Sequence, residues 1–541
     1  MSPSAFLASH NRVGWPVLLA TCLAFIATAL FRFLALNGFP NDQYEHLAGA
    51  QQILMGEWPT KDFFDPGMPL TYLASAGAQL LLGRTLFAEA MLTSAAFGLA
   101  AAFTLLGAYR VSRSLVVAFV AAVWCVAIYP RPYAYPKVLL CSAGPLVMWA
   151  WMAAPTLGRM VWLALFVVVA FLFRHDYGVY LGAAALATIV LTPAEEWQQV
   201  VRRVATFCGL VAVLVAPYLL FLQVYDGVVP YARSILEYGR RHAQRTQLHV
   251  EGLGWNHEVR LFYAFHALPF LALAWWVVER IRRQPIDTSV VVPLVVLAVL
   301  VNVGFLRDPL SARLADAIVP AVLLAAWVAG RGWRGSSPLL RVVAVAVAAI
   351  VVVLGTDSVW AVGNTGEQID RTHLSQGIAR TPQLLRQQTE ELVSRFSHDQ
   401  VPDIGLSGLV PFFEYLDRCT TSQHRLLVGA YSPEVYVYAR RMFAGGQKVF
   451  IQGYYQSARD QQRIVARLRH QVVPFVLLQS DSSAQWRSSF SLVSAFVDSH
   501  FRPMADIQVS PDRSVLVLVD TDLVPLRTEE ATGWPCYQRN A

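Results

Sequence analysis

Five carboxylates crowd one short stretch, NDQYEHLAGAQQILMGEWPTKDFFDPGMPL (Asn41–Leu70): Asp42, Glu45, Glu57, Asp62 and Asp65. The stretch follows directly on an apolar run. A carboxylate beside an apolar surface loses solvation, its pKa rises, and it becomes a competent general base. Asp42 is placed for that role, and Glu45 sits one helical turn away, where it tunes Asp42 or hydrogen-bonds an acceptor. Leu47, Ala50, Ile53 and Leu54 recur at helical spacing, so Tyr44–Met55 reads as an amphipathic helix lying on a membrane surface. A plainer reading competes. Asp42 immediately precedes this helix and would cap it, a role worth about 1 kcal/mol. Asp65 precedes Pro66-Gly67 and would serve as a turn residue rather than a substrate-positioning one.

Cations form the second set. YPRPYAYPK (Tyr129–Lys137), RHDYG (Arg174–Gly178), the long loop 226–258 and FLRDPLSAR (Phe305–Arg313) bring Lys137, Arg174, Arg240, Arg241, Arg307 and Arg313 into short polar loops. Guanidinium and ammonium groups suit a phosphate or another anion. Each would equally serve as a headgroup contact or as the partner of a nearby acid. His175 and Asp176 would position a substrate hydroxyl or pair at a helix junction. Tyr133, Tyr135 and Trp255 would stack on a sugar or anchor at the interface. No CxxC pair, no Cys/His metal spacing and no glycine-rich phosphate fingerprint occurs.

The elements that must hold these residues follow from composition. The chain has 541 residues, of which 55% are hydrophobic and 15% charged, with a mean hydropathy of +0.44. Such a chain is expected to be a polytopic α-helical membrane protein. The net charge of +7 does not indicate nucleic acid, because the arginines are scattered through short loops. With about 20 apolar residues needed per crossing, about eleven spans are expected: 15–36, 86–109, 114–129, 136–154, 160–173, 178–192, 204–225, 259–278, 288–305, 314–330 and 341–361. The first is read as a membrane anchor rather than a signal peptide, being too long and lacking a clean cleavage site. Leu70–Gly83 reads as a helix at the interface.

Placing the N-terminus in the cytoplasm puts Arg110, Arg113, Arg159, Arg202, Arg203, Arg280, Arg282, Arg283, Arg331, Arg334 and Arg341 on the inner side, as the positive-inside bias requires. The acidic loop and the four cationic loops then share the outer face, where arginine is otherwise depleted. Residues 365–541 change composition. Glu367–Phe396 reads as one helix. RLLVGAY, KVFIQGYY, VVPFVLLQ and SVLVLVD read as buried strands alternating with the helical stretches PEVYVYARRMF and ARDQQRIVARLRHQ, which gives a soluble α/β domain. Cys419 and Cys536 would pair in an oxidising compartment, while Cys22, Cys125, Cys141 and Cys208 fall in apolar runs. The expected organisation is therefore a transmembrane domain at 1–364, with its first external loop at 37–85, and an external or periplasmic domain at 365–541.

The first loop resembles that of GT-C glycosyltransferases. An Asp soon after the first span, a helix rich in Ala, Leu and Gln, GEWP (Gly56–Pro59) and DFFDPGMPL (Asp62–Leu70) carry the likeness. RHDYG is similar to a motif of bacterial members. The branch includes protein O-mannosyltransferases and the lipid A aminoarabinose transferase, membrane enzymes that use polyprenyl-phosphate sugars. The resemblance implies a glycosyltransferase in the inner or plasma membrane. Its donor would be a polyprenyl-phosphate sugar and its acceptor a lipid, glycan or protein, with Asp42 as base and the cations holding the donor phosphate. No metal site is carried over, and a divalent cation stays open as a cofactor. A transporter or lipid flippase is the alternative; it would need charges near the bilayer midplane, and only Asp316 and His266 stand apart from the outer ends of the spans.

The topology is directly measurable. Reporter fusions at Gly363 and at Pro285 are expected to report opposite sides, external and cytoplasmic; matching signals would overturn the orientation.

Overall fold

The computed structural model describes residues 14–245, 247, 254–281, 288–333, 338–374, 377–396, 406–480, 483–511 and 513–538. Arg282, Arg283 and Arg334, part of the cytoplasmic bias, and most of 246–253 in the long outer loop lie outside the described residues. The chain divides into two compact units: Met1–Ala35, Met91–Leu219 and Thr246–Leu384 form one, and Leu36–Ala90, Leu220–Arg245 and Leu385–Ala541 form the other. The compositional boundary at 364/365 is thus not where the compact units part.

The first unit is helical. Each expected apolar run coincides with helix, from Trp15–Leu34 to Pro338–Val362. Among the described residues four helices are long and apolar enough to cross a membrane: Trp15–Leu34, Leu86–Ser112, Trp197–Tyr225 and His257–Val277. A fifth crossing arises if Leu310–Asp316 and Ile318–Arg331, bent by 57° at Ala317, count as one. Leu115–Ala127, Leu157–Phe173 and His175–Leu191 are apolar but shorter. Small residues let these helices approach closely, and Ala100, Ala108, Ala164, Ala184 and Ala185 are buried with Leu181, Leu323, Trp151 and Trp327 in one core.

The second unit is built on a five-stranded sheet. Its strands are β1 (Arg425–Val428), β2 (Met442–Phe443), β3 (Phe475–Gln479), β4 (Phe501–Ser510) and β5 (Arg513–Asp520), in the order β2-β1-β3-β5-β4. β1 runs parallel to β2 and β3, while β5 pairs antiparallel with both β3 and β4. A small pair, β6 (Arg527–Thr528) and β7 (Pro535–Cys536), adds the Cys419–Cys536 disulfide. RLLVGAY, VVPFVLLQ and SVLVLVD supply β1, β3 and β5 as expected, and helices Glu434–Ala439 and Ala458–Leu468 fall on the expected stretches.

Two local expectations are corrected, and one strand is new. KVFIQGYY is not a strand: it leaves the sheet after β2 in an irregular path, with Phe450 N donating to Ala430 O at 3.1 Å. β4 was not expected; it carries Pro503, only Phe501 in it is buried and the rest are exposed or half-buried, so it has the weak pattern of an edge strand. Glu367–Phe396 is two helices, Thr365–Arg371 and Thr381–Val393, the second restarting where Pro382 suits a first turn.

Leu36–Ala90, which holds the acidic stretch, belongs to this unit. Its helix, Asn41–Leu54, lies against the edge strand β2. The Gln52 side-chain amide pairs with both backbone groups of Phe443, at 3.3 Å each, so that it stands in for a neighbouring strand. Gln51 Nε2 donates to Tyr436 O at 3.0 Å and Arg441 O at 2.8 Å. Arg425 pairs with Glu57, and Phe63 meets Phe443 edge-on at 5.5 Å. The helix Pro69–Leu82, expected at the interface, packs on its other side, and Leu80 and Leu81 at its end are exposed. A Cβ on Gly49 would stand 2.7 Å from Tyr72 Cδ1.

That contact leaves no room for a side chain. Gly49→Val is expected to destabilise the protein by about 1–3 kcal/mol through overpacking, read as a lower melting temperature in detergent, whereas Gly77→Ala, where a Cβ meets nothing within 4 Å, should leave it unchanged or slightly higher.

Candidate functional site

Asp42 does not cap its helix. The helix begins at Asn41 with Pro40 as the N-cap and no side-chain cap bond, so Asp42 lies inside the first turn. Its Oδ1 accepts from the Tyr431 hydroxyl. Pro40 is the N-cap, so the helix starts two residues earlier than a cap at Asp42 implies, the rigid φ of Pro40 being already suited to the approach. The capping expectation is therefore corrected, and the Asp42 carboxylate, half-buried, is freed from a backbone role.

Glu45 follows one turn later. Its Oε2 lies 3.6 Å from Lys448 Nζ and 3.5 Å from the Tyr454 hydroxyl. Lys448 also donates to the Tyr72 hydroxyl, and Asp65 is within its electrostatic reach. Lys448 is 2% exposed, so its charge must be matched by acids rather than water. Burial raises the pKa of Glu45; Lys448 pulls it back and Asp42 pushes it further up. Burial lowers Lys448, opposed by Glu45 and Asp65. The Tyr431 hydroxyl is driven far up by burial, then by Glu45 and Asp42, so it stays protonated and donates. The cluster thus holds two carboxylates three residues apart beside one cation and three phenols.

Asp65 takes the turn role. Its Oδ1 accepts from Gly67 N at 3.0 Å and Met68 N at 2.8 Å, and its Oδ2 accepts from the Tyr231 hydroxyl at 3.4 Å. Arg241 pairs with Glu237 at 2.5 Å, and Arg240 is exposed.

The first unit gathers the other cations. Lys137 and Asp316 form a buried ion pair, with Arg313 Nη1 at 3.7 Å from the same carboxylate. Removing one partner of such a pair costs about 3–5 kcal/mol, so this contact is structural whatever else it does. Arg174 grips Asp176 through Nε at 3.1 Å and Nη2 at 2.9 Å, and lies within electrostatic reach of Lys137 together with Arg313. Arg174 and Arg307 both act on Tyr180. Lys137, Arg174 and Arg313 thus stand near Asp316 and Asp176, while Arg307 is followed directly by Asp308. His175 and Asp176 occupy the junction of Leu157–Phe173 and His175–Leu191 but face different partners: His175 Nδ1 meets Phe171 O at 2.9 Å and its ring stacks on Phe171 at 3.9 Å. Among the described residues no three His, Cys, Asp or Glu side chains are grouped to hold a metal ion.

Lys448, Tyr431 and Tyr454 were absent from the sequence reading. One signal was present: of 43 basic residues only Lys61, Lys137 and Lys448 are lysines, and the last two are the buried ones.

Among solved structures, the chain is similar to the oligosaccharyltransferase of Archaeoglobus fulgidus, solved in complex with zinc and sulfate, with a TM-score of 0.45 and 10% identity over 95% of this chain and 76% of that one. No protein-family model matches the chain, and no curated protein does.

The electrostatics of Glu45 set a pH dependence. Its folded pKa lies above the ordinary 4.5, so the folded state holds the proton more tightly and stability falls as pH rises from 4.5 through the raised value. Glu45→Gln is expected to flatten that slope. Lys448→Met, which removes the cation pulling Glu45 down, should extend the fall to higher pH. Melting temperatures in detergent across a pH series check both, and parallel curves for wild type and Glu45→Gln would exclude the effect.

Proposed function

We propose that the protein is an integral-membrane glycosyltransferase that moves a sugar from a polyprenyl-phosphate donor to a lipid, glycan or protein acceptor on the outer face of the membrane. The observation that carries this reading is the Asp42 carboxylate. It is released from capping, steadied by a protonated Tyr431 hydroxyl, and set beside a second acid, in the loop whose sequence resembles GT-C enzymes.

In this reading the acceptor hydroxyl or amine gives its proton to Asp42 while its electron pair attacks the anomeric carbon. The bond from that carbon to the phosphate oxygen breaks, and polyprenyl phosphate leaves with the electron pair. Cations stabilise the charge that grows on the phosphate, a role assigned to Lys137, Arg174, Arg307 and Arg313. Glu45 is the secondary acid, its charge held by Lys448. The Cys419–Cys536 disulfide supports an external position for the tail, since disulfides persist in oxidising compartments. Eleven spans in all, with a cytoplasmic N-terminus, complete the proposed topology.

Asp42→Asn separates the base from every structural role. Asn accepts the Tyr431 hydrogen bond equally well, so expression and melting temperature should match wild type. Turnover with radiolabelled polyprenyl-phosphate sugars in membranes, with mass analysis of the product, should fall by about 100-fold or more, the usual contribution of a general base. Near-wild-type transfer by purified Asp42→Asn would remove Asp42 as the base.

A further inference from the structure

The apolar helix Trp197–Tyr225 continues into a second helix of different character, Val228–Arg245. At 29 residues and about 1.5 Å per residue, the first is longer than the about 30 Å hydrocarbon core, so its end reaches the headgroup level. The turn between them is fixed. Asp226 N and Gly227 N both donate to Leu222 O at 2.9 Å, Gly227 takes φ +80°, and the Asp226 carboxylate is held by Arg459 at 3.2 Å and Arg463 at 2.8 Å. The second helix therefore begins at the membrane boundary in a defined direction.

Its two faces differ. One is held by the rest of its unit: Tyr231 is buried against Asp65, Tyr238 packs on Tyr454 at 5.0 Å and Tyr455 at 6.0 Å, and Arg241 pairs with Glu237, the one acid in the helix. The opposite face exposes Val229 at 69% and Leu236 at 74%, with Ala232, Arg233, Arg240 and Ala243 between and beyond them. It is apolar and cationic and carries no acid. It continues the apolar surface of Leu220 and Val224, each 66% exposed, across the turn. Apolar side chains flanked by arginines are the pattern of a helix lying in the headgroup region, and the sign of the charge selects anionic lipid.

We propose that this face, Val229, Ala232, Arg233, Leu236, Arg240 and Ala243, lies on the phospholipid surface and gathers anionic headgroups, so that the helix is a lipid-reading strut joined on its other face to the sheet. Arg240 then serves bulk anionic lipid rather than the donor.

The test places an environment-sensitive fluorophore at Leu236→Cys, with the exposed Cys22 and Cys208 replaced by Ser, in nanodiscs of phosphatidylcholine with and without phosphatidylglycerol. Blue-shifted emission is expected in both, together with preferential quenching by spin-labelled phosphatidylglycerol over spin-labelled phosphatidylcholine. Arg233→Gln and Arg240→Gln should each weaken that preference about fivefold, while Arg386→Gln, on the exposed helix Thr381–Val393, should not change it. Water-like emission without quenching in either bilayer, as a protein-docking face would show, overturns the proposal. So does a preference that survives the double variant.

Discussion

A buried charge must be matched by another charge or by hydrogen bonds, and the second unit is arranged around meeting that demand for Glu45 and Lys448. Neither residue can be satisfied within its own segment. Glu45 lies on a helix whose buried side chains include Gln43, Tyr44, His46, Leu47 and Gln52, and Lys448 lies in an irregular stretch between β2 and the helix Ala458–Leu468. Bringing them to 3.6 Å joins parts of the chain some 400 positions apart. Once they meet, the glutamines of the same helix can close the edge of the sheet, Tyr44 can reach Tyr438 at 2.8 Å, and Tyr431 can reach Asp42. A one-residue rotation of the helix would turn Gln52, Tyr44 and Glu45 away from their partners together, so the contacts reinforce one register.

The first unit meets a similar demand differently. Lys137 and Asp316 neutralise one another in a compact buried pair, and arginines carry the remaining positive charge. The division suits the side chains. An ammonium is a point charge that fits a narrow pocket, while a guanidinium is a wide planar fork that grips a carboxylate with two nitrogens, as Arg174 does Asp176. Two of the three lysines in the chain are buried, as are Arg32 and Arg441 among the forty arginines.

Much of this was legible in the residues themselves. Long apolar runs determined the helices, because apolar side chains at that length have one economical backbone conformation away from water. Alternating and continuous apolar runs located β1, β3 and β5. The crowd of acids after the first apolar run marked where partly buried charge is concentrated, and Asp65 before Pro-Gly was readable as a turn. The failures lie where local pattern and environment disagree. KVFIQGYY has strand composition, yet its lysine is drawn inward and its tyrosines line the same polar cluster, so it leaves the sheet. β4 is an exposed edge with a proline and shows no clear alternation. Asp42 looked like a cap because capping residues are defined by sequence position, and the cap falls at Pro40, two positions earlier.

The amino-acid sequence by itself determined the apolar helices, three central strands of the tail and the identity of the acids and cations, since periodicity and residue type are local properties. Only the tertiary structure decided that the acidic stretch after the first apolar helix and the tail form one compact unit, that Glu45 is answered by Lys448, and that Asp42 is held by Tyr431. Those facts rest on side chains hundreds of residues apart satisfying one another out of water, and no local pattern encodes which distant donor a buried carboxylate will find.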